Sequence, residues 1–386
     1  IDEIDRLFNR ESGMKGLQEL LRKQEHMTRQ DLIDLLSLTG PADLQALYEA
    51  AYAVKTDAVG NIVYYRGLIE FSNRCIKNCD YCGIRRENKA VKRFDTAYGD
   101  ILAMARWTYE NGYGSLTLQA GERQDERFIA YMERLIKDIK KIGDGALGLT
   151  LCVGEQSEET YKRWFAAGAH RYLLRIESSN PRLYGALHPH DGNHEWDVRY
   201  DCLQALRRVG YQVGTGNMIG LPGQTVEDLA DDILFYRQED IDMIGMGPYV
   251  THHNTPVGKA VVAAGLDSKE RQAERLRLGL IMIAVTRLFL KDCNIAATTA
   301  LQALHPFGRE LGLKAGANIL MPIVTLPRFR GHYLLYDNKP CIDDTPGRCR
   351  DCLGARVAAT GDTVGFGRWG DSPHFFNRTQ VQKDGP

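Results

Sequence analysis

The chain has 386 residues and a hydrophobic fraction of 44%, and its 49 Lys and Arg residues are balanced by 50 Asp and Glu residues. This balance excludes a general nucleic-acid or membrane-surface binder, which carries a basic excess. Because no segment has the roughly 18 consecutive apolar residues of a membrane span and the first residues show no signal-peptide pattern, the sequence predicts a soluble cytoplasmic protein.

The first part of the chain has a helical pattern. Thr28 followed by Asp31 predicts a capping box at the start of a helix, and Pro41 predicts the first turn of a second helix. We expect residues 1–60 to form an N-terminal helical cap.

From residue 61 to 326, short β-like segments alternate with amphipathic helical segments. This alternation indicates parallel strands joined by right-handed crossovers. A count of eight strands favours a (β/α)8 TIM barrel over an open doubly wound sheet. The predicted strands are Val63–Ser72, Ser115–Glu122, Gly148–Glu155, Arg171–Ser178, Gln212–Gly220, Met243–Val250, Ala296–Leu301 and Asn318–Val324. The predicted helices are Ala97–Asn111, Arg127–Lys141, Glu158–Ala167, Asp197–Val209, Val226–Glu239 and Ser268–Leu290.

Polar residues follow several of these strands, including Glu122, Glu155, Glu177 and His252. In a TIM barrel the loops at the C-terminal ends of the strands form the active-site face. Residues 327–386 form a C-terminal extension, which we expect to be irregular from Gly361 onward.

The nine cysteines include two tight groups of three, which fit metal or cluster ligation better than a disulfide framework. The first group, Cys75, Cys79 and Cys82, has C-x3-C-x2-C spacing directly after the first predicted strand. Thiolates suit iron–sulfur clusters, and three of them leave one iron of a [4Fe-4S] cube without a protein ligand. The alternatives are a redox pair or a zinc knuckle, although no fourth zinc ligand lies in this loop.

The cysteine spacing, with Tyr81 before the last cysteine, resembles the radical S-adenosylmethionine (SAM) superfamily. Three further motifs follow in the order of that superfamily: Ala120-Gly121-Glu122, Leu173-Leu174-Arg175-Ile176-Glu177, and the segment 216–223. The resemblance implies that the open iron binds SAM, which is cleaved to a 5′-deoxyadenosyl radical. It also implies a SAM site formed by Tyr81, Gly121, Glu122, Arg175, Glu177, Arg199, Met218, Met243 and Tyr333.

Longer stretches, such as RGLIEFSNRCIKNCDYCGIRR and GNMIGLPGQT, resemble the radical SAM maturases of [FeFe]-hydrogenase from about residue 15 to 355. This resemblance implies an enzyme in assembly of the hydrogenase active-site cluster. The implied substrate is a small organometallic complex, a cysteine-bound iron carrying carbon monoxide and cyanide. The implied partners are the other maturases and a reductant protein. The implied substrate contacts inside the barrel are Gln119, Thr150, Thr298, Thr299 and Met321.

Two alternatives stay open at this point. One is another radical SAM enzyme, of the methylornithine synthase or biotin synthase type. The other is a non-catalytic cluster carrier, which would not cleave SAM.

The second cysteine group is Cys341, Cys349 and Cys352. It resembles the accessory [2Fe-2S] site of some of these maturases, and the alternatives are a zinc site or reduced thiols. We expect it to be peripheral. The scattered cysteines Cys152, Cys202 and Cys293 are expected to be buried as small apolar side chains, and for Cys152 the alternative is a position facing the barrel lumen.

Overall fold

The structure is a computed structural model that describes residues 16–379, except for the side chains of residues 348, 349 and 351. The N-terminal helices are α1 (16–23), a 3-10 turn at Gln24–His26, α2 (Arg29–Leu36) and α3 (Pro41–Val59). Thr28 and Asp31 form the predicted capping box, and Pro41 occupies the first turn of α3. These predictions are therefore confirmed.

Eight parallel strands form the barrel. The first ten strands, in chain order, are β1 (Ile62–Ser72), β2 (Ser115–Ala120), β3 (Gly148–Cys152), β4 (Arg171–Leu173), β5 (Gln212–Thr215), β6 (Met218–Ile219), β7 (Met243–Ile244), β8 (Gly247–Pro248), β9 (Asn294–Ile295) and β10 (Ile319–Leu320). The order of the barrel strands is β10-β1-β2-β3-β4-β5-β7-β9, and β6 pairs with β8 beyond their ends. A parallel bridge between Ala296 and Ile319 joins the two outer strands. The predicted (β/α)8 TIM barrel is confirmed.

Most helices around the barrel bury one apolar face, whereas the second half of the long helix Lys269–Leu290 is buried on all sides. In α5, Phe128, Met132, Leu135 and Ile139 recur every three or four residues and are buried. The helices are α4 (Tyr98–Glu110), α5 (Glu126–Lys140), α6 (Glu158–Ala166), α7 (Pro181–Ala186), α8 (Trp196–Val209), α9 (Val226–Gln238), α10 (Pro256–Ala263), α11 (Lys269–Leu290), α12 (Thr299–Leu304) and α13 (Gly308–Lys314), with a 3-10 turn at Ile142–Gly145. Among the described residues, no helix has the length and apolar character needed to cross a membrane.

One predicted strand was wrong. The sequence predicted Ala296–Leu301, but the strand is Asn294–Ile295, and Thr299 begins helix α12. Asn294 is polar, so the sequence pattern did not indicate a buried strand at this residue. Its side chain is nevertheless buried, because it accepts a hydrogen bond from Asn318 Nδ2 at 2.7 Å. The second to sixth and the eighth predicted strands extend beyond the observed ends. The fifth prediction spans both β5 and β6, and the sixth spans both β7 and β8.

The C-terminal residues contain α14 (Pro327–Arg330), α15 (Pro346–Ala358), β11 (Thr363–Val364) and α16 (Pro373–Thr379). The expectation of an irregular tail from Gly361 was wrong for β11, which pairs with the start of β1, and for α16, whereas residues 365–372 are irregular and residues 380–386 lie outside the described part of the chain. The backbone oxygen of Gly370 accepts hydrogen bonds from Arg66 Nη2 at 3.1 Å and Asn294 Nδ2 at 2.8 Å. The segment after β11 thus covers the N-terminal ends of the strands.

Candidate active site

A cavity of about 340 Å³ occupies the lumen and the C-terminal ends of the barrel strands. This is where a TIM barrel places its active site. All the residues predicted for the first cluster, the SAM site and the substrate site line it: Cys75, Cys79, Cys82, Tyr81, Gly121, Glu122, Arg175, Glu177, Arg199, Met218, Met243, Tyr333, Gln119, Thr150, Thr298, Thr299 and Met321. The fold therefore brings these residues together.

The second cysteine group lies elsewhere. Cys341, in the loop that leads to α15, is half-buried, and Cys352 on α15 is exposed. The side chain of Cys349 lies outside the described residues. Neither Cys341 nor Cys352 lines the barrel cavity.

The cysteine loop is held against the end of β2. The backbone NH of Glu122 donates to Cys75 Sγ at 3.3 Å, and that of Gly121 donates to the Ser72 oxygen at 2.9 Å. A Cβ atom at Gly121 would lie 2.4 Å from the Arg74 oxygen. The close approach therefore requires glycine at this position, which explains the motif found in the sequence.

Burial raises the pKa of all three thiols of the first group, that of Cys82 to about 12 and that of Cys79 well above its usual value. Repulsion between neighbouring thiolates adds to the effect. Three ionised sulfurs in this wall therefore need a cationic partner. Iron of a [4Fe-4S] cluster fits, because thiolates are its usual ligands and the donors share one cavity wall.

A buried charge network adjoins the cysteines. Lys77 Nζ lies 2.6 Å from Glu155 Oε2 and 3.4 Å from Glu122 Oε1, and Arg199 Nε donates to Glu155 Oε1 at 2.7 Å. Burial and the charge of Glu155 raise the pKa of Glu122 to about 7. Burial opposes ionisation of Glu155 too, but Arg199 and Lys77 lower its pKa. The Glu155 carboxylate is thus paired with both Lys77 and Arg199, and the neighbouring Glu122 shares the positive charge of Lys77.

A second charged pair, Arg175 and Glu177, follows β4. Arg175 Nη2 lies 2.9 Å from Glu177 Oε2 and donates to the Asn217 oxygen at 2.9 Å. Glu177 has a φ of +65°, in the left-handed region, and forms a bridge with Asn217. The strained backbone turns the carboxylate into the cavity, where it could bind a cationic or hydroxyl group.

The sequence did not single out several charged residues of the lumen. Arg66 and Glu70 line the cavity, and Lys339 Nζ donates to Glu70 Oε1 at 2.5 Å. Burial raises the pKa of Glu70. The even spacing of Arg66, Leu68 and Glu70 along β1 was an available signal, since alternate residues of a strand share a face. No periodicity indicated Lys339, which lies in a loop.

Comparisons with known proteins also indicate a relationship to radical SAM enzymes. The sequence profile of the Radical SAM superfamily matches residues 69–236. The [FeFe] hydrogenase maturase subunit HydE of Thermotoga maritima is 38% identical over 95% of this chain and 99% of its own length. A 3-methylornithine synthase of Methanosarcina acetivorans is 25% identical over 76% of this chain and 79% of its own. In fold, a crystal structure of methylornithine synthase has a TM-score of 0.74 at 22% identity, covering 90% of this chain and 98% of that one.

The barrel, the cysteine loop and the superfamily match define a radical SAM enzyme, whose cofactors are a [4Fe-4S] cluster and SAM. Identity of 38% along nearly the whole of both chains narrows the assignment. The chain belongs to the HydE family of [FeFe] hydrogenase maturases.

Proposed function

We propose that this enzyme cleaves SAM reductively in the barrel cavity and directs the radical to a small anionic substrate during hydrogenase maturation. The observation that carries the proposal is that three thiols, one buried and two half-buried, line one cavity together with the charge network and the lumen polar residues. A closed lumen suits radical chemistry because it excludes water and other hydrogen donors.

Cys75, Cys79 and Cys82 would hold the [4Fe-4S] cluster. When bound, the cluster supplies the electron that breaks a sulfur–carbon bond of SAM and so releases a 5′-deoxyadenosyl radical. Glu122, Arg199 and Glu177 offer charges of both signs at the same end of the cavity. Such charges would bind the amino and carboxylate groups of SAM, and Gly121 would let the ligand approach the backbone. Tyr81, Arg175, Met218, Met243 and Tyr333 would complete the SAM site.

Deeper in the lumen, Gln119, Thr150, Thr298, Thr299 and Met321 would contact the substrate. Within the described residues, buried Thr298 Oγ1 has no hydrogen-bond partner, so a polar ligand would satisfy it. Arg66 adds positive charge at the inner end of the lumen, which favours an anion. An iron complex with carbon monoxide, cyanide and cysteine has this size and charge, and the family membership supports this choice.

The test is anaerobic reconstitution with iron and sulfide, reduction, and quantification of 5′-deoxyadenosine. We expect product from the wild type and none above background from Cys82→Ser, because only two thiolates would remain to hold the cluster. Cys202→Ser is the matched control, because Cys202 is a buried cysteine outside the cavity, and it should keep the activity. A wild type that holds its cluster but forms no 5′-deoxyadenosine would leave the cluster-carrier alternative.

Stimulation of hydrogenase maturation separates this function from that of a methylornithine synthase, to which the chain is 25% identical. The proposal expects restored hydrogenase activity when the enzyme is added to the other maturases and a reductant protein. Conversion of lysine without such stimulation would instead favour the synthase.

The second cysteine group is proposed to hold a peripheral [2Fe-2S] cluster that SAM cleavage does not need. Its support is the C-x7-C-x2-C spacing and the position of Cys341 and Cys352 outside the cavity. The triple variant Cys341→Ser, Cys349→Ser and Cys352→Ser should lose iron but keep 5′-deoxyadenosine formation. Loss of SAM cleavage in a triple variant that retains its first cluster would refute this role.

A further inference from the structure

Two histidines and an aspartate meet at the mouth of the barrel, outside the groups used above. His252 and His253 follow β8, and Asp337 lies in the loop between α14 and α15. One ligand atom from each of the three residues lies within 4.8 Å of the other two. The His252 side chain is buried, whereas 67% of the His253 side chain is exposed, so the group has one side open to solvent.

Hydrogen bonds already orient these residues. His253 donates its backbone NH to Asp337 Oδ2 at 2.9 Å, and its Nδ1 lies 2.9 Å from Asp337 Oδ1. The Asn254 NH donates to His252 Nδ1 at 3.2 Å, which fixes the first ring. The two rings are nearly parallel, with an interplanar angle of 10°. These contacts hold the three residues side by side, and a bound ion would displace the Asn254 NH from His252 Nδ1, because a neutral imidazole offers one nitrogen lone pair.

We propose that His252, His253 and Asp337 form a binding site for a divalent transition-metal ion of the zinc class. Two imidazoles and a carboxylate are typical zinc ligands, and a fourth position would remain for water on the exposed side. Ligand atoms around tetrahedral zinc are about 3.4 Å apart, so binding requires each pair of ligand atoms, now within 4.8 Å, to approach by about 1.4 Å at most. The ion would replace a hydrogen-bonded contact between two loops with coordinate bonds.

The site lies beside the cysteine loop and joins it to the segment 333–339, here called the mouth segment. A Cβ atom at Gly83 would lie 2.3 Å from His252 Cδ2 and 2.2 Å from the Leu334 oxygen. The Gly83 NH donates to the Leu335 oxygen, and the Asp337 NH to the Thr251 oxygen. Tyr333, Tyr336 and Lys339 of the mouth segment line the cavity. A bound ion would therefore brace the wall that closes the cavity over the cysteine loop.

The test measures zinc uptake by the holoenzyme in anaerobic equilibrium dialysis against Zn²⁺, with iron measured in the same fractions. We expect wild type to bind one equivalent more than His253→Gln and Asp337→Asn. Asp337→Asn keeps an oxygen that can accept from the His253 NH, so the loop should stay in place. His26→Gln, an exposed histidine outside the group, is the control and should bind as wild type does.

Equal zinc uptake by the wild type and both variants would overturn the proposal, as would no uptake by the wild type. Hydrogen exchange tests the bracing. With zinc, the Gly83 and Asp337 amides should exchange at least about tenfold more slowly in the wild type, with no change in the variants. Unchanged exchange in zinc-loaded wild type would contradict a brace at the mouth.

Discussion

Lys77 donates a hydrogen bond from Nζ to Glu155 Oε2 at 2.6 Å, and both side chains are buried. Because Lys77 stands between Cys75 and Cys79, this contact ties the cysteine loop to the loop after β3. Arg199 contacts the other oxygen of the same carboxylate. The pair therefore links the predicted cluster ligands to the predicted SAM site.

Substitution of Lys77 should destabilise both the cysteine loop and the predicted SAM site. In Lys77→Met, Glu122 and Glu155 would share Arg199 as their nearby cation, and breaking a buried pair typically costs about 3 kcal/mol. We expect the free energy of urea unfolding to fall by about that amount and SAM affinity to fall at least about tenfold. Lys137→Met is the control, because its pair with Glu133 is at the surface and should contribute less than about 1 kcal/mol. Equal losses in the two variants would contradict this account.

The buried Asp232 should make stability depend on pH. Burial raises the pKa of Asp232 to about 7, against hydrogen bonds from the Ser179 NH and Asn217 Nδ2 that favour its ionised form. The pKa of Asp232 in the folded protein thus exceeds its unfolded value of 3.8. The protonated carboxyl therefore contributes fully to the free energy of unfolding below pH 3.8, and this contribution is lost as the pH rises through about 7.

Urea unfolding at pH 5 and pH 8 measures this effect. Between pH 5 and pH 8, the free energy of unfolding should fall by about 2–3 kcal/mol more in the wild type than in Asp232→Asn. Asp231→Asn, which changes the exposed neighbour on α9, should keep the wild-type slope. If Asp232→Asn has the same pH slope as the wild type, the carboxyl does not titrate as stated.

Gly83→Ala tests the contact between the cysteine loop and the mouth segment. The added methyl group would lie 2.2 Å from the Leu334 oxygen, so the backbone must move, at a cost of about 2 kcal/mol. We expect a lower melting temperature and less iron after reconstitution. Gly99→Ala is the control, because α4 has open space at that position and alanine there should be neutral or stabilising by up to about 1 kcal/mol. Full iron retention at wild-type stability in Gly83→Ala would show that the loops need not touch.

Asp371→Asn tests the C-terminal segment that covers the other end of the barrel. Asp371 pairs with Arg171, whose side chain is fully buried, and also lies 3.2 Å from His170. Asparagine would leave the guanidinium without its charge partner, so we expect a loss of about 3 kcal/mol in unfolding free energy. Asp201→Asn, at an exposed position of α8, should change it by less than about 0.5 kcal/mol. A loss below 1 kcal/mol for Asp371→Asn would contradict a stabilising role.

The sequence predicted the barrel well because its elements alternate and its helices carry apolar faces of regular period. The SAM-site and substrate residues were implied by the resemblance to radical SAM maturases, and they line one cavity because the C-terminal ends of the strands meet at one end of a parallel barrel. Thr298 and Thr299 illustrate this: they line the cavity although they were placed in a strand and actually begin helix α12. Their position just after the strand end, and not their secondary structure, places these two residues at the cavity.

The sequence could not predict the partners that loops supply. Lys339 reaches Glu70, which is 269 residues away, and Asp371 reaches Arg171, which is 200 residues away. Loops have no hydrophobic period that fixes the direction of a side chain, so such pairs depend on the assembled fold. Asn294 was missed for a related reason, since its buried amide is stabilised by Asn318 and by the C-terminal segment.

Electron paramagnetic resonance of the reduced, reconstituted enzyme, with and without SAM, tests the central claim most directly. If the Cys75, Cys79 and Cys82 cluster keeps one iron free for SAM, the signal of the reduced [4Fe-4S] cluster should change shape when SAM is added, and Cys82→Ser should lose the signal. A spectrum that is identical with and without SAM, or zinc in place of iron at these cysteines, would contradict the account.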